Sequence, residues 1–338
     1  MPERDIIVIG GSAGALEALS AIVSSLPHKL RASIFVVIHT SPTKESLLPR
    51  ILRLHSRLGV SHPDDGQTIE RGQIYVAPPD LHMLLDNGQI SLMHGPKENR
   101  SRPAIDPLFR SAAINYGARV IAVLLSGALD DGTAGIRAVQ RTGGITIVQD
   151  PADAIYPSIP ESAIQNNWID HIVAAAEIGP LLRRLVEERA SEEGGPVVPE
   201  DLAREVGIIK QEFESPQMID AVNELGELTM FTCPECQGAL WELKDGELLR
   251  YRCHVGHAFS VDSLDAAQGE KLEAALWSAL RALEERSALS RRLAKQARAR
   301  ERHGLAERFE RRADETDQHV ESMRQVLVAD PDRTLVTS

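Results

Sequence analysis

The stretch Ile6-Ile-Val-Ile-Gly-Gly-Ser-Ala-Gly14 decides the fold of the first half of the chain. Its apolar residues run without a polar break, which predicts a strand buried on both faces of a parallel sheet. The glycines that follow permit a sharp turn into a helix, and in this GxSxG pattern the turn exposes the hydroxyl of Ser12 as a nucleophile. Two alternatives stay open at this point: the turn only packs a helix on a strand, or it binds phosphate at the helix N-terminus.

Buried strands and helices continue to alternate after this turn, up to about residue 190. Continuous apolar runs predict further strands, and the segments between them predict helices. The strands are expected at 34–38, 120–125 and 145–148, and the helices at 16–26, 47–54, 106–116 and 133–142. This order predicts an α/β fold with a doubly wound, mostly parallel sheet.

A tight turn is predicted at Asp86-Asn-Gly88, because asparagine and glycine accept the left-handed backbone that two-residue hairpins need. Apolar runs at 81–85 and 89–93 flank this turn, and another run lies at 73–77. We therefore expect an antiparallel hairpin inserted in the parallel sheet.

Two further polar positions follow buried strands. His39 comes directly after the run at 34–38, and the carboxyl ends of neighbouring parallel strands meet at one edge, so His39 is expected beside Ser12. Histidine suits the role of the base that a serine nucleophile needs. Asp131 or Asp130 follows the strand at 120–125 and could orient the imidazole, which would complete a Ser-His-Asp triad. The alternatives are a capped surface histidine and aspartates that only cap a helix.

Taken together, several ordered segments within residues 5–188 resemble the CheB chemotaxis protein-glutamate methylesterases. The matching segments are Ile9-Gly-Gly-Ser-Ala-Gly14, Val36-Val-Ile-His39, Tyr75-Val-Ala-Pro78 with His82-Met83, Arg102-Pro-Ala-Ile-Asp106, Leu125-Ser-Gly-Ala-Leu-Asp-Asp-Gly132, and Gln149-Asp150 followed by Pro160-Glu161. Their number and order make the resemblance specific.

The resemblance implies a protein-glutamate methylesterase that also acts as a protein-glutamine glutaminase and needs no cofactor for catalysis. By position it assigns Ser12 as the nucleophile, His39 as the base and Asp131 as the orienting carboxylate. It also implies an oxyanion site with backbone donors at Ala13 and Ala128, where the family often has threonine and methionine. Chemotaxis members carry a receiver domain before the catalytic domain, and we expect none here because the first strand begins at residue 6.

A second motif consists of Cys233-Pro-Glu-Cys236 and Cys253-His-Val-Gly-His257. Two cysteines separated by two residues present both thiolates to one ion, and a second turn completes a tetrahedral shell. We expect a structural zinc ion bound by Cys233, Cys236, Cys253 and His257, with His254 the less favoured fourth ligand. The alternative is a CxxC redox pair with unrelated neighbours.

Composition divides the chain into four parts. Residues 1–190 form the expected CheB-like methylesterase domain, 191–228 a linker, 229–262 a zinc ribbon and 263–338 a helical tail. Leucines at 272, 276, 280 and 283 make one apolar stripe, and His303-Gly304 interrupts the pattern. The tail is therefore expected to be a coiled-coil-like helical hairpin or one bent helix. We also expect residues 1–190 to be active without the ribbon.

The net charge of the chain restricts the classes of molecule that it can bind. Lysine and arginine number 37 against 49 acidic residues, a net charge of −12, which opposes binding to nucleic acid or anionic lipid. The basic stretch 291–302 beside a zinc ribbon leaves a nucleic-acid binder as an alternative, although its lack of aromatic residues favours a solvated helix face. No apolar run approaches the roughly 18 residues of a membrane span, and no signal peptide is recognisable, so a cytoplasmic location is expected.

The sequence thus predicts a cytoplasmic serine hydrolase with a Ser12, His39 and Asp131 triad. It would remove methyl esters from glutamate side chains of a chemoreceptor or another methylated signalling protein, without insertion into the membrane. The alternative is a non-catalytic signalling adaptor that docks through the ribbon and the helices. The C-terminal helices are expected to bind a partner or to form a homo-oligomer.

Overall fold

A parallel sheet organises the first of the two units into which the computed structural model divides, Met1–Leu264 and Asp265–Ser338. The structure describes residues 3–190, 198–211 and 215–328. In chain order the strands are β1 Ile6–Gly11, β2 Ser33–Ile38, β3 Gly59–Ser61, β4 Gln73–Val76, β5 His82–Asp86, β6 Gln89–Met93, β7 Val120–Leu124, β8 Ile145–Gln149, β9 His171–Val173, β10 Gly226–Thr232, β11 Ala239–Leu243, β12 Arg250–Cys253 and β13 Ala258–Ser260. The helices are α1 Ala15–Ser25, α2 Leu48–His55, α3 Ile105–Tyr116, α4 Thr133–Arg141, α5 Ser158–Asn166, α6 Ala175–Glu187, α7 Glu200–Ile209, α8 Ser215–Leu225, α9 Val261–Ala299 and α10 His303–Val328.

The main sheet has the strand order β3-β4-β2-β1-β7-β8-β9, and all of its pairs are parallel. The doubly wound α/β fold predicted from the sequence is confirmed. Alternate residues of β1 enter two separate cores, with Ile7 and Ile9 on one face and Ile6 and Val8 on the other. The strand order reverses at β1, which lies between β2 and β7, so the carboxyl ends of these three strands form the crevice where α/β folds place their sites.

The predicted hairpin is present, but it is separate from the main sheet. β5 and β6 pair with each other in a two-stranded antiparallel sheet, and Asn87 and Gly88 adopt the expected left-handed backbone. The run at 73–77, which we grouped with this hairpin, instead gives β4, a parallel strand between β3 and β2. A short buried strand has the same apolar pattern in either direction, so the pattern could not assign its partner.

Glycines allow the close packing around the end of β1. A Cβ atom at Gly10 would lie 2.3 Å from the Ile105 side chain. Gly14 has a φ of +74°, and a Cβ there would lie 2.8 Å from Ser126 Oγ. The turn that carries Ser12 therefore lies directly against the start of α3 and the loop after β7.

Two helices, α7 at Glu200–Ile209 and α8 at Ser215–Leu225, lie in the segment that we assigned to a linker. Leu202 and Val206 are buried on one face of α7, because the spacing of its apolar residues suits a helix that packs against the domain. The glycine-rich and proline-rich part of the proposed linker, 191–197, lies outside the described residues. β10 to β13 follow as a four-stranded antiparallel sheet that begins at Gly226, and we call residues 226–263 the ribbon.

The second unit contains a helical hairpin made by α9 and α10. Leu280, Val320 and Leu327 are buried between the two helices, with Leu276 and Leu283 packed against them. Ion pairs along the hairpin show that the helices run antiparallel: they join Arg291 to Asp317, Arg298 to Glu310 and Arg324 to Glu284. Two arginines of the basic stretch 291–302 thus pair with acidic residues of α10. None of the described helices combines the length and apolar character needed to cross a bilayer.

Candidate active site

Three side chains from the ends of β1, β2 and β7 form a continuous hydrogen-bonded chain. The Oγ atom of Ser12 lies 3.1 Å from Nδ1 of His39. The other ring nitrogen, Nε2, lies 2.7 Å from Oδ2 of Asp131. The side chain of His39 is 18% exposed and that of Asp131 is 2% exposed. The chain of contacts therefore runs from a buried carboxylate to a serine that solvent can reach.

The hydrogen bonds define which imidazole nitrogen can act as a base. An ionised Asp131 only accepts hydrogen bonds, so the neutral imidazole carries its proton on Nε2 and leaves Nδ1 free to accept the Ser12 proton. Burial raises the pKa of Asp131, but the hydrogen bonds from His39, Ile105 and Asn99 outweigh it, so this pKa lies below its ordinary value. Asp131 is thus ionised beside the imidazole.

Asp131 is held by donors other than His39. The backbone N–H groups of Ile105 and Asp106, at the start of α3, donate to its carboxylate at 2.7 and 3.2 Å. The side-chain amide of Asn99 donates to Oδ1 at 2.9 Å. These bonds fix both oxygens of the carboxylate, so its orientation toward the imidazole does not depend on His39 alone.

Asp130 has a different environment from its neighbour. Its carboxylate accepts a hydrogen bond from Ser260 of the ribbon, and the contact with His39 belongs to Asp131. Burial raises the pKa of Asp130 to about 7, despite the hydrogen bond from Ser260. Of the two aspartates that the sequence left open, the structure places Asp131 beside the imidazole.

Asp106 is a buried acidic group that our sequence analysis did not single out. It accepts hydrogen bonds from the backbone N–H of Gly135 at 2.7 Å and from Asn99 Nδ2 at 2.9 Å. Burial and the nearby Asp131 charge raise its pKa to about 7. Its only sequence signal was its place in the Arg102-to-Asp106 segment of the family resemblance. Asp106 shares Asn99 with Asp131 and so connects α4 to the hydrogen-bonded chain of Ser12, His39 and Asp131.

Ser126 supports the turn that carries Ser12. Its carbonyl oxygen accepts a hydrogen bond from the Ser12 backbone N–H at 2.9 Å, and its hydroxyl donates to the Ala13 carbonyl oxygen at 2.8 Å. Ala128, the second residue expected at the oxyanion site, is exposed in the loop after β7. The loops at Ser12 and Ser126 are therefore tied together, and Ala13 and Ala128 lie in these two loops.

The ribbon brings together the four residues of the cysteine and histidine motif. One ligand atom from each of Cys233, Cys236, Cys253 and His257 lies within 4.8 Å of all the others. The Sγ atoms of Cys236 and Cys253 are 3.6 Å apart, and Cys253 Sγ is 3.6 Å from His257 Nδ1. The ring of His254 instead packs edge-on against Trp241, with centroids 6.3 Å apart.

Comparisons with known proteins agree on the first half of the chain. Residues 7–182 match the CheB methylesterase family. The protein-glutamate methylesterase/protein-glutamine glutaminase of Pyrococcus abyssi is 34% identical over 191 residues, 55% of this chain and 52% of that protein. A relative from Leptospira interrogans is 34% identical over 182 residues, 54% of this chain and 94% of the relative. This chain thus spans about half the length of the Pyrococcus relative.

The fold agrees as well. The crystal structure of the Thermotoga maritima CheB methylesterase catalytic domain superposes with a TM-score of 0.52 at 34% identity, and covers 54% of this chain and 98% of that domain. Since the family match extends over more than half of the sequence, this chain belongs to the CheB methylesterase family.

Proposed function

We propose that this protein hydrolyses methyl esters of glutamate side chains in a protein substrate, with Ser12 as the nucleophile. The observation that carries the proposal is the hydrogen-bonded chain from Ser12 through His39 to Asp131 at the edge of the sheet. Family membership supports the reaction class, and the name of the Pyrococcus abyssi relative states the same activity for that protein.

The geometry supports a two-stage acyl transfer. His39 Nδ1 accepts the hydroxyl proton while Ser12 Oγ bonds to the carbonyl carbon of the ester. The tetrahedral intermediate then releases methoxide, which takes that proton from His39 and leaves as methanol. A water molecule next gives a proton to His39 and attacks the acyl-enzyme, and the returned proton restores Ser12 as glutamate leaves. Asp131 stays ionised throughout and stabilises the charged imidazole.

The oxyanion of the tetrahedral intermediate needs donors near Ser12. The backbone N–H groups of Ala13 and Ala128 are our candidates, because both residues lie in the loops that meet at Ser126. Each such donor typically contributes a factor of about 10²–10³ to turnover. Alanine keeps the backbone N–H but brings no side-chain hydroxyl or thioether, so any stabilisation at these positions comes from the main chain.

The same acyl-enzyme also allows glutamine deamidation. In that reaction the leaving group is ammonia rather than methanol, and His39 again supplies its proton. We propose a methylated chemoreceptor, or another methylated signalling protein, as the partner, because the Pyrococcus abyssi relative is named a protein-glutamate methylesterase. The C-terminal hairpin is proposed to bind a partner or a second copy of this chain.

We further propose a structural zinc ion at Cys233, Cys236, Cys253 and His257. In a tetrahedral site with Zn–S bonds of about 2.3 Å, neighbouring sulfur atoms lie roughly 3.8 Å apart, which is close to the 3.6 Å between Cys236 and Cys253. The ion would supply folding energy to the ribbon. Four protein ligands leave no open position for water, so no catalytic step is assigned to it.

The test compares wild type with Ser12→Ala for methanol release from a glutamate-methylated protein. Ser24→Ala is the matched control, because Ser24 lies on the exposed side of α1 and donates only to its own helix, to the Ala21 carbonyl oxygen. We expect turnover in wild type and in Ser24→Ala and nearly none in Ser12→Ala. An adaptor without catalysis, the alternative function, would show no difference among the three.

A further inference from the structure

The ribbon contacts the catalytic domain at the residues that hold Asp131. Asn99 lies at the centre of this contact: its side-chain amide nitrogen donates to Asp131 Oδ1 and to Asp106 Oδ2, both at 2.9 Å. Its amide oxygen faces the ribbon and accepts from the Ser260 backbone N–H at 3.0 Å and from the Ser263 hydroxyl at 3.2 Å. The side chain of Asn99 therefore connects the ribbon to the carboxylate of the triad.

We propose that the ribbon is part of the catalytic apparatus, and that Asn99 and Ser263 are positioning residues for Asp131. This inference rests on the proposed function, because it concerns the same triad. It also replaces our expectation that residues 1–190 act independently of the ribbon.

The orientation of the Asn99 amide supports the proposal. A backbone N–H such as that of Ser260 can only donate, so it selects the amide oxygen and rejects the amide nitrogen. The nitrogen then has to point at the two carboxylates on the other side. The carboxylates select the amide nitrogen on one side and the ribbon selects the oxygen on the other, so without the ribbon the amide would be held from one side only.

The backbone around Asn99 is also held by the ribbon. Asn99 has a φ of +47°, in the left-handed region that asparagine enters more readily than most other non-glycine residues. Its N–H donates to the Ala258 carbonyl oxygen at 2.9 Å, and the Ala258 N–H donates to the Lys97 carbonyl oxygen at 3.2 Å. Residues 97–99 thus extend the edge of β13, which stabilises the loop in the conformation that aims Asn99 at the triad.

Charge gives a further argument for the contact. Around Asn99 the catalytic domain buries four carboxylates, those of Glu98, Asp106, Asp130 and Asp131, and the guanidinium of Arg110. A buried carboxylate without a paired charge is strongly destabilising. The ribbon supplies Arg252, which lies 2.8 Å from Glu98.

The same guanidinium connects the ribbon to α7. Arg252 lies 3.0 Å from Glu205, and Arg250 of the same strand lies 2.7 Å from Glu205. Burial raises the pKa of Glu98, but Arg110 and Arg252 outweigh it and hold this pKa below its ordinary value. Arg252 of the ribbon therefore helps to keep Glu98, the chain neighbour of Asn99, ionised.

The test measures kcat and KM of the full-length protein on a methyl ester of a glutamate peptide. Asn99→Ala removes a hydrogen bond to a charged group, and we expect kcat to fall about 10- to 100-fold with KM little changed. Ser263→Ala removes a neutral bond that acts through Asn99, and we expect a loss of about fivefold. Because the serine acts through the amide, the double variant should be no slower than Asn99→Ala.

Two control variants separate positioning from simple loss of stability. Ser24→Ala, the matched control for Ser263→Ala, removes an exposed hydroxyl that donates to the Ala21 carbonyl oxygen of its own helix. Asn115→Ala removes an amide that bonds the carbonyl oxygens of Leu85 and Ser111 away from the triad. Both controls should keep wild-type kcat. Wild-type kcat in Asn99→Ala, or independent losses in the double variant, would overturn the positioning role.

A spectroscopic readout tests the inference apart from turnover. The proton on His39 Nε2 is hydrogen-bonded to the Asp131 carboxylate, and a proton in such a bond gives a far-downfield NMR resonance. This resonance should be present in wild type and in Asn115→Ala and should weaken or move upfield in Asn99→Ala. An unchanged resonance in Asn99→Ala would refute the inference. If turnover by the wild type did not depend on Ser12, the proposed function would be overturned. The NMR resonance would then still decide whether Asn99 positions Asp131.

Discussion

Replacement of Asp131 by asparagine is the perturbation whose effect the site geometry defines best. The carboxylate has two fixed donors on its Oδ1 side, the Asn99 amide and the Asp106 N–H. On its Oδ2 side it has one fixed donor, the Ile105 N–H, and the adaptable ring of His39. The side chain of an asparagine has one accepting oxygen. At the Oδ1 position this oxygen would accept from two fixed donors, whereas at the Oδ2 position it would accept from one.

The amide nitrogen of Asp131→Asn would therefore face His39. The imidazole would then accept at Nε2 and carry its proton on Nδ1, the nitrogen that has to receive the Ser12 proton. A wrong tautomer of this kind lowers kcat by a factor of about 10⁴ in a serine protease triad. This factor corresponds to a loss of roughly 5.5 kcal/mol of transition-state stabilisation. We expect a loss of that order in kcat, with KM little changed.

The assay is methanol release under saturating substrate, with Asp130→Asn as the comparison. Asparagine at 130 can still accept the hydrogen bond from Ser260 and makes no contact with the imidazole, so its loss should stay below about tenfold. Equal losses in the two variants, or a loss below tenfold in Asp131→Asn, would refute the assignment of Asp131 as the group that orients His39.

Three further predictions concern the catalytic unit, a buried acid and the metal. Ser12→Ala and His39→Ala should each remove nearly all turnover, and the double variant should be no slower than either, because residues that act as a unit are not additive. The pKa of Asp106 is raised from 3.8 to about 7, so between these pH values the folded state binds more protons than the unfolded state. The free energy of unfolding of wild type, measured by urea denaturation, should therefore fall relative to that of Asp106→Asn as the pH rises from 3.8 to about 7. Metal analysis should find one zinc ion per chain in wild type and in His254→Ala and a reduced content in Cys236→Ser; equal zinc in all three would contradict the ligand assignment.

The sequence predicted the parallel sheet and the meeting of Ser12 with His39 for a clear physical reason. Continuous apolar runs identify buried strands, and a polar residue that directly follows such a strand has to lie at the edge of the sheet. The grouping of β4 with the antiparallel hairpin was wrong, because the apolar pattern of a short buried strand does not reveal its partner or its direction. The sequence also left Asp130 and Asp131 undecided, since adjacent residues in a loop differ only through their tertiary contacts.

The contact between the ribbon and the catalytic domain had no local signal in the sequence. Arg252 and Glu98 are separated by 154 residues and are both buried, whereas arginine and glutamate patterns normally indicate solvent-exposed positions. Asn99 likewise resembled an ordinary loop residue. The ribbon composition predicted a small metal module, but only the fold shows that its edge strand lies against the loop that holds Asp131.

Covalent catalysis by the Ser12 hydroxyl is the central claim about this protein. Purified full-length protein should be incubated with a glutamate-methylated chemoreceptor fragment, and methanol release should be measured for wild type and Ser12→Ala side by side. We predict sustained methanol release by wild type, with glutamate formed at the methylated positions, and release near the uncatalysed rate for Ser12→Ala. Methanol release by Ser12→Ala at the wild-type rate would contradict the central claim.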